Sequence, residues 1–192
     1  MVQKRTLVTR AAILEVATSL FGRKGFDGVA ITEICSAAGI ANGTFYLHYK
    51  DKEALFTAIL EMTFKTMAEM LRSPEREKMN PREKDRFDVE MIVKFTEDHP
   101  DLFNTLSKEL PKRHNEHRAY MGIFIQQRAF ELKQGIKDGS YRKTIHPETT
   151  AIAEFGMVEA LLQNWVNQPK TSTRTLLIDQ LCDMRARVLF ED

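Results

Sequence analysis

Asn42, Gly43 and Thr44 stand together, followed closely by Tyr46, Leu47 and His48. An amide offers a donor and an acceptor at once, and a hydroxyl offers either. A glycine lets the backbone come close, so these types suit contact with base edges in a DNA groove. Leu47 offers only apolar contact, of the kind a thymine methyl accepts. Signals for other chemistries are weak: there is no glycine-rich phosphate loop, no GxSxG elbow and no CxxC pair. The best metal pattern is His114 with His117, three apart on one helical face, helped by Glu116 or His99. It sits in PKRHNEHR among Lys112, Arg113 and Arg118, which reads better as a solvated polar turn. No catalytic residue, metal or cofactor is expected, and a metal-dependent helical enzyme is the minor alternative.

These residues need a frame that holds them outward. The stretch from Thr32 to Tyr49, TEICSAAGIANGTFYLHY, spells a helix, a tight turn and a second short helix. Thr32 is expected to cap the first helix, its oxygen accepting from an orphan amide, and at that helix N-terminus to hold a phosphate. Ile34 and Ala38 share one face, and Gly39 supplies the turn, because a residue without a Cβ takes the left-handed conformation at no steric cost. Ala37 and Ala38 keep the crossing close. Phe45 and Tyr49, four apart, point into a core with Leu55 and Phe56, which leaves Tyr46, Leu47 and His48 at the outer edge. Upstream, Lys4, Arg5 and Arg10 are candidates for backbone or minor-groove contact from an N-terminal arm.

The segment resembles the N-terminal domain of the TetR (tetracycline-repressor-like) family of transcriptional regulators. Arg10, Ile13, Ala17, Leu20, Phe21 and Gly25 match its first helix, and Lys52, Glu53, Ala54 and Leu55 the start of its fourth, so the likeness covers about residues 6 to 60. Ala41 departs from it, standing where the family often has a Ser or Thr that caps the recognition helix and touches a phosphate. The resemblance implies phosphate contacts from Tyr46, His48 and Lys52. It implies a helix-turn-helix DNA-binding domain over residues 1–52 and a helical effector-binding and dimerisation domain over 53–192. It also implies a cytoplasmic repressor that binds a palindromic operator as a homodimer and is released by a small apolar or amphipathic molecule.

Composition agrees with that division. Of 192 residues 43% are hydrophobic, enough for a core, and no apolar run is long enough to span a membrane or to serve as a signal peptide. The formal net charge is +1. Residues 1–52 hold seven Lys and Arg against four Asp and Glu, a net +3, while the remainder holds 21 against 23, a net −2. A basic head on a faintly acidic body suits contact with phosphate at one end. Cys35 and Cys182, far apart within apolar helical patterns, read as reduced buried thiols.

Every long segment has helical periodicity and none alternates as a strand, which predicts an all-α fold of about nine helices. The last two carry the means of pairing. Ala153, Gly156 and Ala160 form a strip of small residues beside Met157, Leu161 and Trp165, while Leu177, Leu181, Met184 and Val188 repeat at four and three. With their symmetry mates these would build a four-helix bundle, and two short helices would then meet successive half-sites. Candidate effector-lining residues are Phe64, Met67, Met91, Phe95, Phe103, Tyr120, Phe124 and Phe155, since methionine adapts its shape and aromatics supply area. A densely packed centre without a cavity would instead favour a ligand-independent DNA-binding adaptor.

Overall fold

Proline and glycine punctuate the chain where helices must start and stop. The computed structural model describes residues 2–112, 114–168 and 173–190, with side chains described outside 2–8, 114–118 and 120. Its order is α1 (Val2–Lys24), α2 (Ile31–Ala37), α3 (Asn42–Tyr46), α4 (Lys52–Met70), α5 (Pro74–Glu77), α6 (Pro81–Asp98), α7 (Pro100–Glu109), a 3₁₀ turn at Leu110–Lys112, α8 (His114–Asp138), α9 (Pro147–Asn167) and α10 (Arg174–Leu189). No strand occurs among the described residues. Pro74, Pro100 and Pro147 open α5, α7 and α9, where a missing amide hydrogen costs nothing. Gly25 and Gly139 follow α1 and α8 with φ of 75° and 83°. α6 opens on a reciprocal capping box: Asn80 Oδ1 accepts from Glu83 N at 3.0 Å and Glu83 Oε2 from Asn80 N at 2.9 Å.

The charged stretch SPEREKMNP holds α5, a short helix beyond the nine or so that the periodicity predicts. Ser73 Oγ accepts from Arg76 N at 3.1 Å, and Arg76 then forks onto Asp88 of α6 through Nε and Nη2 at 2.6 and 2.7 Å. A capped single turn tied down by a bidentate ion pair survives where propensity would not sustain it.

The chain divides into two compact units: Met1–Thr66 with His99–Lys112, and Met67–Asp98 with Arg113–Asp192. The first therefore holds more than residues 1–52, taking in most of α4 and all of α7. Its core is Ile13, Ala17 and Phe21 of α1, Ile34 of α2, Phe45 of α3 and Leu55, Phe56 and Ile59 of α4, all buried. Phe21, Phe26 and Phe56 meet as a triad with centroids 5.1, 5.5 and 6.4 Å apart. α7 lies directly on α1. Gly22 faces the Asp101 backbone so closely that a Cβ there would fall 2.5 Å from its carbonyl oxygen. Ser19 donates to Asp101 Oδ2 at 2.8 Å, and the Phe26 amide donates to the buried Glu109 carboxylate at 3.3 Å.

In the second unit Ala129, Leu132, Ala151, Leu189 and Phe190 form an apolar cluster. Beside it three buried charges and the half-buried Arg128 join four helices: Asp85 of α6, Arg128 of α8, Glu154 of α9 and Arg185 of α10. Arg128 reaches Glu154 at 2.7 Å and Asp85 at 3.2 Å, and Arg185 reaches Asp85 at 2.6 Å. Burial pushes the Asp85 carboxyl above the usual range against the pull of Arg185 and Arg128. Burial acts to lower Arg128, but its bonds to Glu154 outweigh that and leave it raised. The quartet is neutral as a whole, which lets ionic groups persist in a dry interior.

Candidate nucleic-acid interface

The turn between α2 and α3 is set by Gly39 at φ 66°. The Ile40 amide reaches back to Cys35 O at 3.0 Å and the Gly39 amide to Ser36 O at 3.2 Å, the paired bonds of a Schellman ending. α2 starts two residues earlier than expected. Ala30 is its N-cap, with no side-chain hydrogen bond, so Thr32 is not the cap but an exposed residue inside the first turn. α3 begins after Ala41, which likewise contributes no capping side chain. Ala38 is half-buried at the crossing, whereas Ala37 faces outward.

α3 is a single turn and a half, held by what it buries. Phe45 and Tyr49 are enclosed, with ring centroids 5.9 Å apart, and this fixes which residues face out. Asn42 and Gly43 are exposed, Thr44 and His48 half-buried, Tyr46 57% exposed and Leu47 83% exposed. A Cβ built on Gly43 would meet nothing of the protein within 4 Å. Nothing inside the fold calls for a glycine there. Leu47 and the adjoining Tyr46 form a small apolar patch left in water, which adds nothing to the core.

The basic residues divide. Arg10 Nε donates to the Tyr49 hydroxyl at 3.2 Å and its guanidinium lies 5.6 Å from that ring's centroid, so Arg10 braces α1 against the end of α3 and keeps its remaining donors at the surface. Burial pushes the Tyr49 phenol up, opposed by that bond from Arg10. Lys24 is paired with Glu33, tying the end of α1 to α2. Arg5 and Lys4 lie outside the described side chains. Lys52, expected at a phosphate, is engaged within the fold. Its ammonium donates to Phe26 O at 2.7 Å and Val29 O at 2.9 Å and lies 4.3 Å from the centroid of the Phe26 ring. It clips the α1–α2 loop to α4, satisfying two carbonyls that no helix serves. Sequence could not separate these roles, since a lysine at a helix start suits either one. Lys52→Ala is accordingly expected to lower the thermal midpoint and weaken every duplex alike, while the slope of log affinity on log salt stays unchanged within error. A slope smaller by about one unit would restore the phosphate contact.

The other candidates also sort by place. Met67, Met91 and Phe95 come together in the second unit with Met70, Leu71 and Ile92, around an apolar crevice of only about 10 Å³. Phe64 and Phe103 belong to the first unit, Phe124 and Phe155 to the second, and Tyr120 lies outside the described side chains. On α9, Ala153, Gly156 and Ala160 are exposed along one face with Ile152, while Met157, Leu161 and Trp165 are half-buried beside them. On α10 Val188 is exposed and Met184 half-buried. Leu177 and Leu181, however, are 5% and 0% exposed within the single chain. Those two are core, not interface: the three-and-four spacing marks the inner face of α10, and periodicity cannot say which of two apolar faces meets its own domain. His114 and His117 lie outside the described side chains. No group of three or more His, Cys, Asp or Glu among the described residues could hold a metal ion, and no described helix is long and apolar enough to cross a membrane.

Comparison with known proteins places this geometry. Residues 13–59 match the family model for bacterial regulatory proteins, tetR family. The chain is 40% identical over 62 residues to the HTH-type transcriptional regulator AcrR of Shigella flexneri, a match covering 32% of this chain and 29% of that protein. The chain thus aligns with under a third of that relative's length. The fold is similar to that of the fatty acid degradation regulator FadR from Bacillus halodurans, with TM-score 0.83 at 20% identity over 92% of this chain and 94% of the other. It is similar also to FadR from Bacillus subtilis, solved in complex with stearoyl-CoA, with TM-score 0.83 at 17% identity over 91% and 96%.

Proposed function

We propose that this chain, whose residues 13–59 match the model for the tetR family of bacterial regulatory proteins, is a cytoplasmic transcriptional repressor whose dimer binds a palindromic operator and is released by a small molecule. The observation that carries the reading is the outer face of α3, where Asn42, Gly43 and Leu47 are exposed beside Thr44 and Tyr46 on a helix anchored by Phe45 and Tyr49. Asn42 and Thr44 reach base edges, Gly43 admits the backbone and Leu47 meets a thymine methyl. Tyr46 and His48 hold phosphates, with Thr32, Arg10 and Arg5 at the flanks. One such helix spans too few base pairs for a unique site. The dimer supplies the second, through the small-residue face of α9 and the outer side chains of α10, Val188 and Met184. Gly156 fits that role, since a Cβ there would meet nothing of its own chain.

Coupling to an effector runs through α4. Its first turns carry Leu55, Phe56 and Ile59 in the core of the head, and its last carry Met67 and Met70 at the apolar crevice. A ligand that parts those methionines tilts the rod and shifts the heads off the half-site spacing of about 34–36 Å. The stearoyl-CoA held by the Bacillus subtilis regulator makes a long-chain acyl thioester the first compound to try. The crevice holds little more than one water, so the pocket must open as the ligand enters. That closed crevice also favours a second reading, an adaptor that binds DNA without a ligand. Selection from random duplex DNA, repeated with and without acyl-CoA, tests both. A recovered palindrome whose yield falls with ligand supports the repressor, a palindrome indifferent to every ligand supports the adaptor, and an unenriched pool refutes both.

A further inference from the structure

A second cleft in the second unit is roomier than that crevice. It opens between the start of α6, the α8–α9 loop and the end of α10, has a volume of about 270 Å³, and is lined by Arg82, Gly139, Ser140, Tyr141, Lys143 and Phe190. Its walls are fixed. The Tyr141 amide donates to Gly135 O at 3.0 Å and the Arg142 amide to Leu189 O at 2.9 Å, which ties the loop to the ends of α8 and α10. Gly135 makes this possible, because a Cβ there would fall 2.1 Å from the Tyr141 ring. That ring lies 5.4 Å from Phe190 on one side and 5.8 Å from the half-buried Arg128 guanidinium on another. Arg82 covers the Phe190 ring at 4.3 Å, and the exposed Lys143 stands at the rim with Ser140.

Two cations and two rings around one pre-formed space select a particular chemistry. We propose that this cleft is a binding site for a small aromatic carboxylate, its ring against Tyr141 and the Arg82 guanidinium that covers Phe190, and its charge toward the exposed Lys143. The volume limits the guest. It lies just under the range usual for drug-sized ligands and suits a single ring with short substituents. The exposed Lys143 favours an anion, while Tyr141 and the flat Arg82 guanidinium favour a planar body over a bare inorganic ion. The site owes nothing to the reading of the protein as a DNA-binding repressor, so it is tested without DNA.

Calorimetric titration of the full chain compares benzoate with benzyl alcohol, which keeps the ring without the charge, and with inorganic phosphate, which keeps charge without the ring. Benzoate is expected to bind with Kd below about 1 mM and each comparison compound at least about tenfold more weakly. Lys143→Glu, an exposed change, is expected to weaken benzoate about tenfold with the thermal midpoint unchanged. Equal affinity for benzoate and benzyl alcohol, phosphate binding as tightly as benzoate, full retention in Lys143→Glu, or no heat from benzoate would each overturn the assignment.

Discussion

Gly22→Ala and Gly43→Ala are expected to give opposite results, although both place a methyl on a helix of the same unit. At Gly22 the new Cβ would meet the Asp101 carbonyl at 2.5 Å, and a backbone atom cannot swing aside as a flexible side chain would. α7 must then lift from α1, straining the Ser19–Asp101 and Phe26–Glu109 hydrogen bonds. The cost is roughly 1–3 kcal/mol of overpacking, only partly offset by the better helix propensity of alanine. At Gly43 the methyl meets nothing, so folding should be unaffected or gain roughly 0.5–1 kcal/mol. The DNA pays instead, because the Cβ occupies the space where backbone and groove approach, and affinity should fall at least about tenfold. Thermal unfolding and DNA titration of both variants separate the effects. If Gly43→Ala binds like the parent, the glycine has no part in the interface.

Arg185→Met should produce the largest loss of stability. The change keeps the volume but removes a guanidinium 2.6 Å from Asp85, leaving that buried carboxylate with Arg128 alone, itself committed to Glu154. Removing one partner of such a pair costs roughly 3–5 kcal/mol. Adding Asp85→Leu should recover most of the deficit, since one charge of each sign is then gone and the Arg128–Glu154 pair remains whole. The pH dependence has a definite sign. A carboxyl held above its ordinary value in the fold gives up stability as pH rises through that raised value, so losing Arg185 should widen the deficit with rising pH and narrow it once Asp85 takes a proton. Denaturant titrations across that range check it. A double variant no more stable than the single would show that the quartet works through packing instead.

How much of this was legible from sequence depends on the range of the interactions. The turn at Gly39, the inward pair Phe45 and Tyr49 and the outward Leu47 all follow from local stereochemistry and spacing, and they stand as expected. What sequence missed is long-range. The engagement of Lys52 with carbonyls 26 and 23 residues away, the packing of α7 on α1 through Gly22, and the four-helix charge cluster have no local signature. The same holds for Leu177 and Leu181, whose periodicity marked an apolar face without saying that it belongs to the domain's own core. α5 was missed for a different reason. Its signal was present as Ser-Pro followed by charged helix formers, but the turn depends on Asp88 for its stability.

The central claim is that the outer face of α3 distinguishes one DNA sequence from another. The most direct measurement is the ratio of affinities for the selected palindrome and for a shuffled duplex of equal length and composition, taken by fluorescence anisotropy near physiological salt. The account predicts a ratio of at least about a thousand for the parent protein, falling sharply when Asn42 and Thr44 are both replaced by alanine. A ratio near one for the parent, or one that the double replacement leaves unchanged, would contradict it.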